Sequence, residues 1–175
     1  MKSIFSSLLA ISLLAPFATA DDKESFQVAD LTFEFGEPWI RQQPSSSMRA
    51  AQLLYDHENE DLEDIEVGVF HMGGTVRANL DRWIGQFEGT PESDEKTEKL
   101  GDREVIFFTA TGTFLQSTGG PFAGGPKTPL KDHMMLGAIM PAGDRLAFFK
   151  LTGPKASVEA MKADFETLVK SAFDE

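Results

Sequence analysis

An acidic segment at residues 56–66 is the densest group of side chains that could do chemistry. Seven of its eleven residues are acidic. Calcium prefers several carboxylate oxygens, so the segment is a candidate divalent-cation site. It is not an EF-hand loop, because its sixth position is Asp61 instead of glycine and its twelfth is Val67 instead of glutamate. The alternative interpretation is a solvated turn that keeps an edge of the protein soluble. The candidate ligands are Asp56, Glu58, Glu60 and Asp61.

The histidines are the second group of candidate ligands and bases. The chain has three, His57, His71 and His133, and none of them lies in an H-E-x-x-H frame. The signature of a zinc hydrolase is therefore absent. His71 and His133 fall within or beside predicted strands, so they could still converge in space with the acidic residues. Such a cluster would favour a hydrolase or a cation-binding protein.

A glycine- and proline-rich segment at residues 117–129 predicts a long loop. It nearly spells a phosphate-binding loop, but Pro126 stands before Lys127 and has no N–H to offer a phosphate. Long loops often carry binding residues. We therefore expect Phe122, near the tip, to dock a ligand or partner, with Lys127 and Lys131 as nearby cations. The alternative is a flexible crossover in which Phe122 folds back on the sheet.

Nucleophilic catalysis has no recognisable motif in the chain. There is no cysteine, which excludes disulfides, a thiolate nucleophile and thiolate metal sites. Residues 45–47 and Ser117 lack the G-x-S-x-G setting that exposes a serine nucleophile. Trp39 and Trp83 could stack on a sugar, but their places in the apolar pattern favour core positions.

The charge of the chain narrows the classes of partner. Its 16 basic and 28 acidic residues give a formal charge of -12. This balance argues against nucleic acid and anionic membranes, because both attract clustered Lys and Arg. Residues 21–100 contain 19 acidic and 7 basic residues, whereas residues 101–175 contain 9 and 8. The acidic excess therefore belongs to the first half of the chain.

The first twenty residues have the pattern of a secretory signal peptide. Lys2 precedes an apolar run at residues 4–17, which is too short to span a bilayer. The small residues Ala18 and Ala20 then form a cleavage site, so we expect cleavage after Ala20. The mature protein is expected to be periplasmic or extracellular, with no membrane span.

The remaining chain predicts one domain. Apolar alternation predicts strands at residues 31–35, 48–55 and 65–70, and β-branched and aromatic runs predict four more, at 96–100, 104–111, 133–140 and 145–151. Spacings of three and four predict amphipathic helices at residues 76–87 and from Pro154 to the end. Short turns between strands favour an antiparallel sheet, so we expect an α+β fold of about six to seven strands packed with two helices. We expect residues 21–26 to be a short flexible N-terminus and residues 27–175 to be the single domain.

The order of these elements resembles the PsbP/Mog1-like fold. The residues that carry the resemblance are 33–39, with a tryptophan after a glycine-proline turn, 73–87, with a glycine pair before a tryptophan-containing helix, and the final strand and helix at 148–173. The last segment is also similar to small exported bacterial proteins of unknown function. The resemblance implies an α+β fold and an accessory or binding role, and it carries over no catalytic residues.

Together these patterns predict an exported, non-catalytic binding or accessory domain. Its partner would be an envelope protein or a small ligand, and no cofactor is expected, with calcium as the one candidate ion. The alternative is a small exported hydrolase or a divalent-cation-binding protein that uses acidic residues and histidine.

Overall fold

A computed structural model of the chain describes residues 23–117 and 125–174, which form an α+β domain. The predicted fold class is confirmed, since the main sheet has seven antiparallel strands. The strands are β1 (Glu24–Val28), β2 (Leu31–Phe35), β3 (Trp39–Arg41), β4 (Arg49–Tyr55), β5 (Ile65–Met72), β6 (Glu92–Leu100), β7 (Arg103–Ser117), β8 (Lys127–Ala142) and β9 (Arg145–Pro154). The helices are α1 (Val76–Ile84), α2 (Lys155–Ala160) and α3 (Lys162–Lys170), followed by a 3-10 turn at Ser171–Phe173. Within the described ranges, no helix is long and apolar enough to cross a bilayer.

The strand order of the main sheet is β3-β4-β5-β9-β8-β7-β6, and β1 and β2 form a separate hairpin. Strands β6 to β9 are joined as consecutive hairpins, whereas β9 returns to pair with β5. Val67 of β5 is thus opposite Leu151 of β9. This closure places residues from the first half of the chain beside residues near its end.

One face of the sheet is covered by the β1–β2 hairpin and the C-terminal helices. Phe33 and Phe149 meet edge to face, with ring centroids 4.8 Å apart, at the centre of this layer. Val158 and Phe165 of the helices are buried in the same core. The alternation of buried and exposed residues in β2 follows from this arrangement, because each second side chain points into the core.

The other face is partly covered by α1. Thr75 caps this helix, accepting a hydrogen bond of 3.2 Å from the backbone N–H of Ala78. Leu80, Trp83 and the following Phe87 are buried against β7, β8 and β9. The predicted apolar stripe is therefore confirmed, although the helix ends at Ile84 and Phe87 continues the contact from the next segment.

The position of α1 depends on a glycine in the middle of β8. A Cβ atom built on Gly137 would lie 2.2 Å from Cζ3 of Trp83, so the indole ring occupies the space that any other side chain would need. The ring also packs against Phe108 and Phe148, with centroids 5.8 and 6.3 Å away. Both tryptophans are buried, as predicted.

Several boundaries differ from the sequence prediction. Strand β1 begins at Glu24, inside the stretch predicted to be flexible, because it pairs with β2 along its whole length. Lys127 begins β8 and pairs with Ser117, so the two strands extend into the predicted loop. The C-terminal helix is interrupted at Met161, because α2 packs on β8 and β9 while α3 packs on β2.

Three turns meet at one end of the sheet around Asp30. Its carboxylate accepts hydrogen bonds from the Arg103 guanidinium and, at 2.8 Å, from the backbone N–H of Gly143. Arg103 also donates to the carbonyl of Pro141 at 2.8 Å. The hydrogen bond from Arg103, followed by that from Gly143, lowers the pKa of Asp30 to about 2. The β1–β2, β6–β7 and β8–β9 turns are thereby held together.

We predict that Gly137→Ala destabilises the protein by about 1–3 kcal/mol, because the new methyl group displaces the Trp83 ring in a packed core. Denaturant unfolding measures the change. Gly73→Ala is the matched control: a Cβ there meets no atom within 4 Å, so we expect a change below about 1 kcal/mol. Equal effects of the two substitutions would contradict the role assigned to Gly137.

Candidate functional site

Residues 56–64 of the acidic segment connect β4 to β5, and its last two residues begin β5. Two hydrogen bonds lie within the connection: Asp64 accepts from the backbone of His57, and Asn59 accepts from the backbone of Asp61, both at 3.1 Å. Asp56 and Glu58 line an open depression, which Glu60 and Asp61 do not join. In the described part of the chain, no three Asp, Glu or His side chains are grouped to hold a metal ion. The calcium site stays a prediction.

The depression beside this turn is built on Tyr55. Its hydroxyl donates a hydrogen bond of 2.5 Å to Asp164, which ties β4 to α3. Burial, and then the hydrogen bond and charge of Asp164, raise the pKa of Tyr55 to about 12, so the phenol stays protonated. The Tyr55 ring also contacts Trp39 and His57 edge to face. These ring contacts are packing contacts, and the raised pKa of the phenol keeps Tyr55 from acting as a base near neutral pH.

The other two histidines are not brought together. His71 lies opposite Ala147, at the start of β9, and its Nε2 atom is 3.0 Å from the carbonyl oxygen of Ala142. His133 lies opposite Pro154, at the far end of the same strand, with its Nδ1 atom 2.8 Å from the carbonyl oxygen of Lys131. The cluster that a hydrolase would need is therefore not formed by these two residues.

The predicted partner site lies on the long β7–β8 hairpin. Phe122 lies outside the described residues. Lys127 and Lys131 are exposed and lie four positions apart on β8. Docking at these residues stays a prediction.

A cavity between the last turn of α1 and the uncovered part of the sheet combines apolar walls with positive charge. We call it the α1 notch. Its volume is about 80 Å³. The lining residues come from the loop before β4, from β5, from α1 and from β9, and they are Met48, Phe70, Met72, Arg82, Trp83, Phe148 and Lys150. Met48 is 47 % exposed, one of two large apolar side chains in the described residues that remain so open.

Two glycines create the space around Lys150. Lys150 lies opposite Gly68 of β5 on one side and Gly137 of β8 on the other. The Trp83 ring occupies the space that a side chain at position 137 would need. The Phe70 ring does the same at position 68, where a Cβ built on Gly68 would lie 2.9 Å from Cε2 of Phe70. The lysine is thus flanked by aromatic rings reaching over from neighbouring positions.

The cations of the notch bind neutral partners. The ammonium of Lys150 donates to the side-chain oxygen of Gln86, and it lies 5.8 Å from the centroid of the Phe114 ring. Arg82 donates to the amide oxygen of Asn79 at 2.5 Å. Neither forms an ion pair with a carboxylate among the described residues, whereas the neighbouring Arg49 pairs with Glu66.

This setting disfavours the charged form of Lys150. Burial, and then the positive charges of Arg82 and Arg49, lower the pKa of Lys150 from 10.5 to about 8. The amine therefore titrates close to neutral pH. An anion bound in the notch would offset the positive charges of Arg82 and Arg49 and would therefore favour the charged form of Lys150.

Sequence reasoning missed this site. Residues 146–149 are nearly continuous apolar sequence, which is typical of a strand covered on both faces, and Lys150 directly follows them. A lysine within such a strand was the available signal. Arg82 carried no signal of its own, because an arginine beside the apolar stripe of a helix is ordinary.

The described residues thus form an antiparallel α+β domain with an apolar notch that carries unpaired positive charge. Neither a protein-family model nor a curated protein matches the chain. Among solved structures, the chain is similar to the solution structure of cyanobacterial PsbP (CyanoP) from Synechocystis sp. PCC 6803. That match covers 90% of this chain and 95% of the other, with 13% sequence identity and a TM-score of 0.49. PsbP is also part of the fold family that the sequence resembles, and the likeness concerns the fold alone.

We predict that Lys150→Met stabilises the protein at pH 7, by on the order of 1 kcal/mol, because it removes a partly desolvated charge. In the wild type this penalty is present below pH 8 and is relieved as the pH rises from about 8, the folded pKa, to about 10.5, the ordinary value. The stability difference between variant and wild type should therefore shrink across that window. Urea unfolding at several pH values measures it.

Lys162→Met is the control for this experiment, since Lys162 is exposed on α3. We expect it to change the free energy of unfolding by less than about 0.5 kcal/mol. A Lys150→Met protein that is less stable than the wild type at pH 7 would show that the lysine is not penalised by its surroundings.

Proposed function

We propose that the protein is an exported, non-catalytic binding domain, and that the α1 notch holds a small apolar group bearing a carboxylate. The observation that carries this proposal is that Arg82 and Lys150 have no carboxylate partner among the described residues. Both line the notch, both are half-buried, and both bind only neutral amides among the described residues. An anionic ligand would supply the missing partner.

The rest of the charge distribution supports this reading. The chain has 28 acidic residues for 16 basic ones, so carboxylate partners are abundant. The described cations that have no carboxylate partner, apart from Arg82 and Lys150, are exposed to water, which solvates them. They are Lys99, Lys127, Lys131, Arg145 and Lys162. Only the two notch cations combine partial burial with the lack of an acidic partner, within the ranges that the structure describes.

The apolar walls set the kind of group that fits. Phe70, Trp83 and Phe148 offer ring surfaces, and Met48 and Met72 are flexible side chains that adapt to a ligand. A volume of about 80 Å³ is far below that of a pocket for a drug-sized ligand, so the notch admits one small apolar group. The lining contains no Asp, Glu or His, and its one group that titrates close to neutral pH is Lys150. Binding is therefore the activity that this geometry supports best.

We predict that 4-methylpentanoate quenches or shifts the fluorescence of Trp83 in a saturable titration at pH 7. Arg82→Met and Lys150→Met should each weaken binding roughly 10- to 100-fold, the worth of a charge-assisted hydrogen bond. Binding by the wild type should also weaken above pH 8, because Lys150 then loses its charge.

Two controls distinguish this site from general affinity for anions. Arg145→Met removes an exposed cation remote from the notch and should leave the dissociation constant unchanged. The uncharged analogue 4-methylpentan-1-ol should bind more weakly to the wild type and should not respond to Arg82→Met. Equal binding of acid and alcohol would overturn the assignment of the two cations.

Export is the second part of the proposal, and it is supported by the pattern of the first twenty residues. We predict that the full chain, expressed in a bacterium, is recovered outside the cytoplasm with Asp21 as its first residue. Intact mass and N-terminal sequencing check this outcome. Ala20→Arg should block cleavage, and recovery of an uncleaved wild-type chain in the cytoplasm would contradict the proposal.

A further inference from the structure

Lys150 has the surroundings of a reactive amine. Its side chain lines an apolar cavity that Arg82 also lines, and its ammonium donates to the neutral amide of Gln86. We propose that Lys150 captures the carbonyl carbon of a 2-oxo acid with an apolar side chain, as a reversible imine. This inference rests on the proposed function, since the ligand must first bind in the α1 notch.

The first requirement of such a reaction is a neutral amine at working pH. Lysines meet it when they are desolvated or lie beside another cation, and Lys150 does both. At pH 7, a pKa of about 8 leaves about a tenth of the amine neutral, against roughly three parts in ten thousand at 10.5. The nucleophilic form is thus enriched about 300-fold over an ordinary lysine.

The step needs no co-reactant. The lone pair of the Lys150 nitrogen attacks the ketone carbon, a C–N bond forms, and the electron pair of the C=O π bond moves to the oxygen; one proton then passes from the nitrogen to that oxygen to give a neutral carbinolamine. The hydroxyl takes a proton from water and leaves as water while the nitrogen lone pair forms the C=N bond, and the remaining proton of the nitrogen returns to the hydroxide, so that amine and ketone give one imine and one water. Hydrolysis reverses each step, so the ligand is held covalently and released unchanged.

The arrangement of the notch selects the ligand class. A 2-oxo acid carries its carboxylate on the carbon next to the ketone, so it needs a cation close to the amine. Arg82 lines the same cavity and its charge acts on the Lys150 ammonium, and its planar guanidinium matches a carboxylate. The third substituent of the ketone carbon then meets Phe70, Trp83 and Phe148, which favours a branched or aromatic side chain.

Reductive trapping tests the proposal. The mature protein is incubated at pH 7 with 4-methyl-2-oxopentanoate and sodium cyanoborohydride, which reduces the imine to a stable secondary amine. Peptide mapping by mass spectrometry then locates the adduct. We expect Lys150 to react at least roughly tenfold faster than the exposed Lys162, and Lys150→Met to abolish the fast phase.

Arg82→Met provides a second variant, which leaves Lys150 in place. We expect it to slow trapping of the 2-oxo acid at least roughly tenfold, while trapping of 3-methylbutanal, which lacks the carboxylate, stays within about threefold. Equal trapping of Lys150 and Lys162 in the wild type would overturn the proposal.

A parallel fluorescence titration with 4-methylpentanoate separates this inference from the proposed function. Saturable binding without selective trapping overturns covalent capture alone and leaves the binding function standing. Absence of both binding and trapping overturns both. Melting curves of each variant verify that it is folded.

Discussion

The close approach of the Trp83 ring to the backbone of Gly137 decides how the second face of the sheet is used. With the ring seated on β8, α1 packs against β7, β8 and β9, and Phe70 and Met72 of β5 are only partly buried beside it. The edge of the covered region is the α1 notch. Arg82 is presented there because it adjoins Trp83 on the helix, so a packing contact and a charged site have the same origin.

The same arrangement explains why a lysine can lie in a central strand. Its neighbours across both ladders are glycines, whose missing side chains admit aromatic rings and leave the amine a route to Gln86. A hydrophobic residue at position 150 would fill the face more stably. Functional sites commonly retain groups that lower the stability of the fold. Lys150 is such a group, because it places a charge where an apolar side chain would be more stable.

Much of the fold could be predicted from the sequence, and the reasons are local. Strand β2 alternates by residue, α1 has a four-residue apolar repeat, and short turns connect β6 to β7 and β8 to β9. Each of these patterns lies within one segment of the chain and can be recognised there. Short β1 and β3 were missed because their pairing partners, and not their composition, make them strands. The notch was missed for a stronger reason: its residues come from four segments, and only the pairing of β5 with β9 brings them together.

The cluster of turns around Asp30 bears on how the domain meets an acidic environment. The hydrogen bonds from Arg103 and Gly143 lower the pKa of its carboxyl from 3.8 to about 2, so their contribution to stability is complete above 3.8 and is lost as the pH falls from there through about 2. Within that window the carboxylate is still charged in the folded protein, so three hairpins that are widely spaced in the chain stay joined at this end of the sheet. An exported protein, as we propose this one to be, meets pH values that the cell does not buffer, and this contact keeps its full contribution down to the ordinary pKa of an aspartate, 3.8.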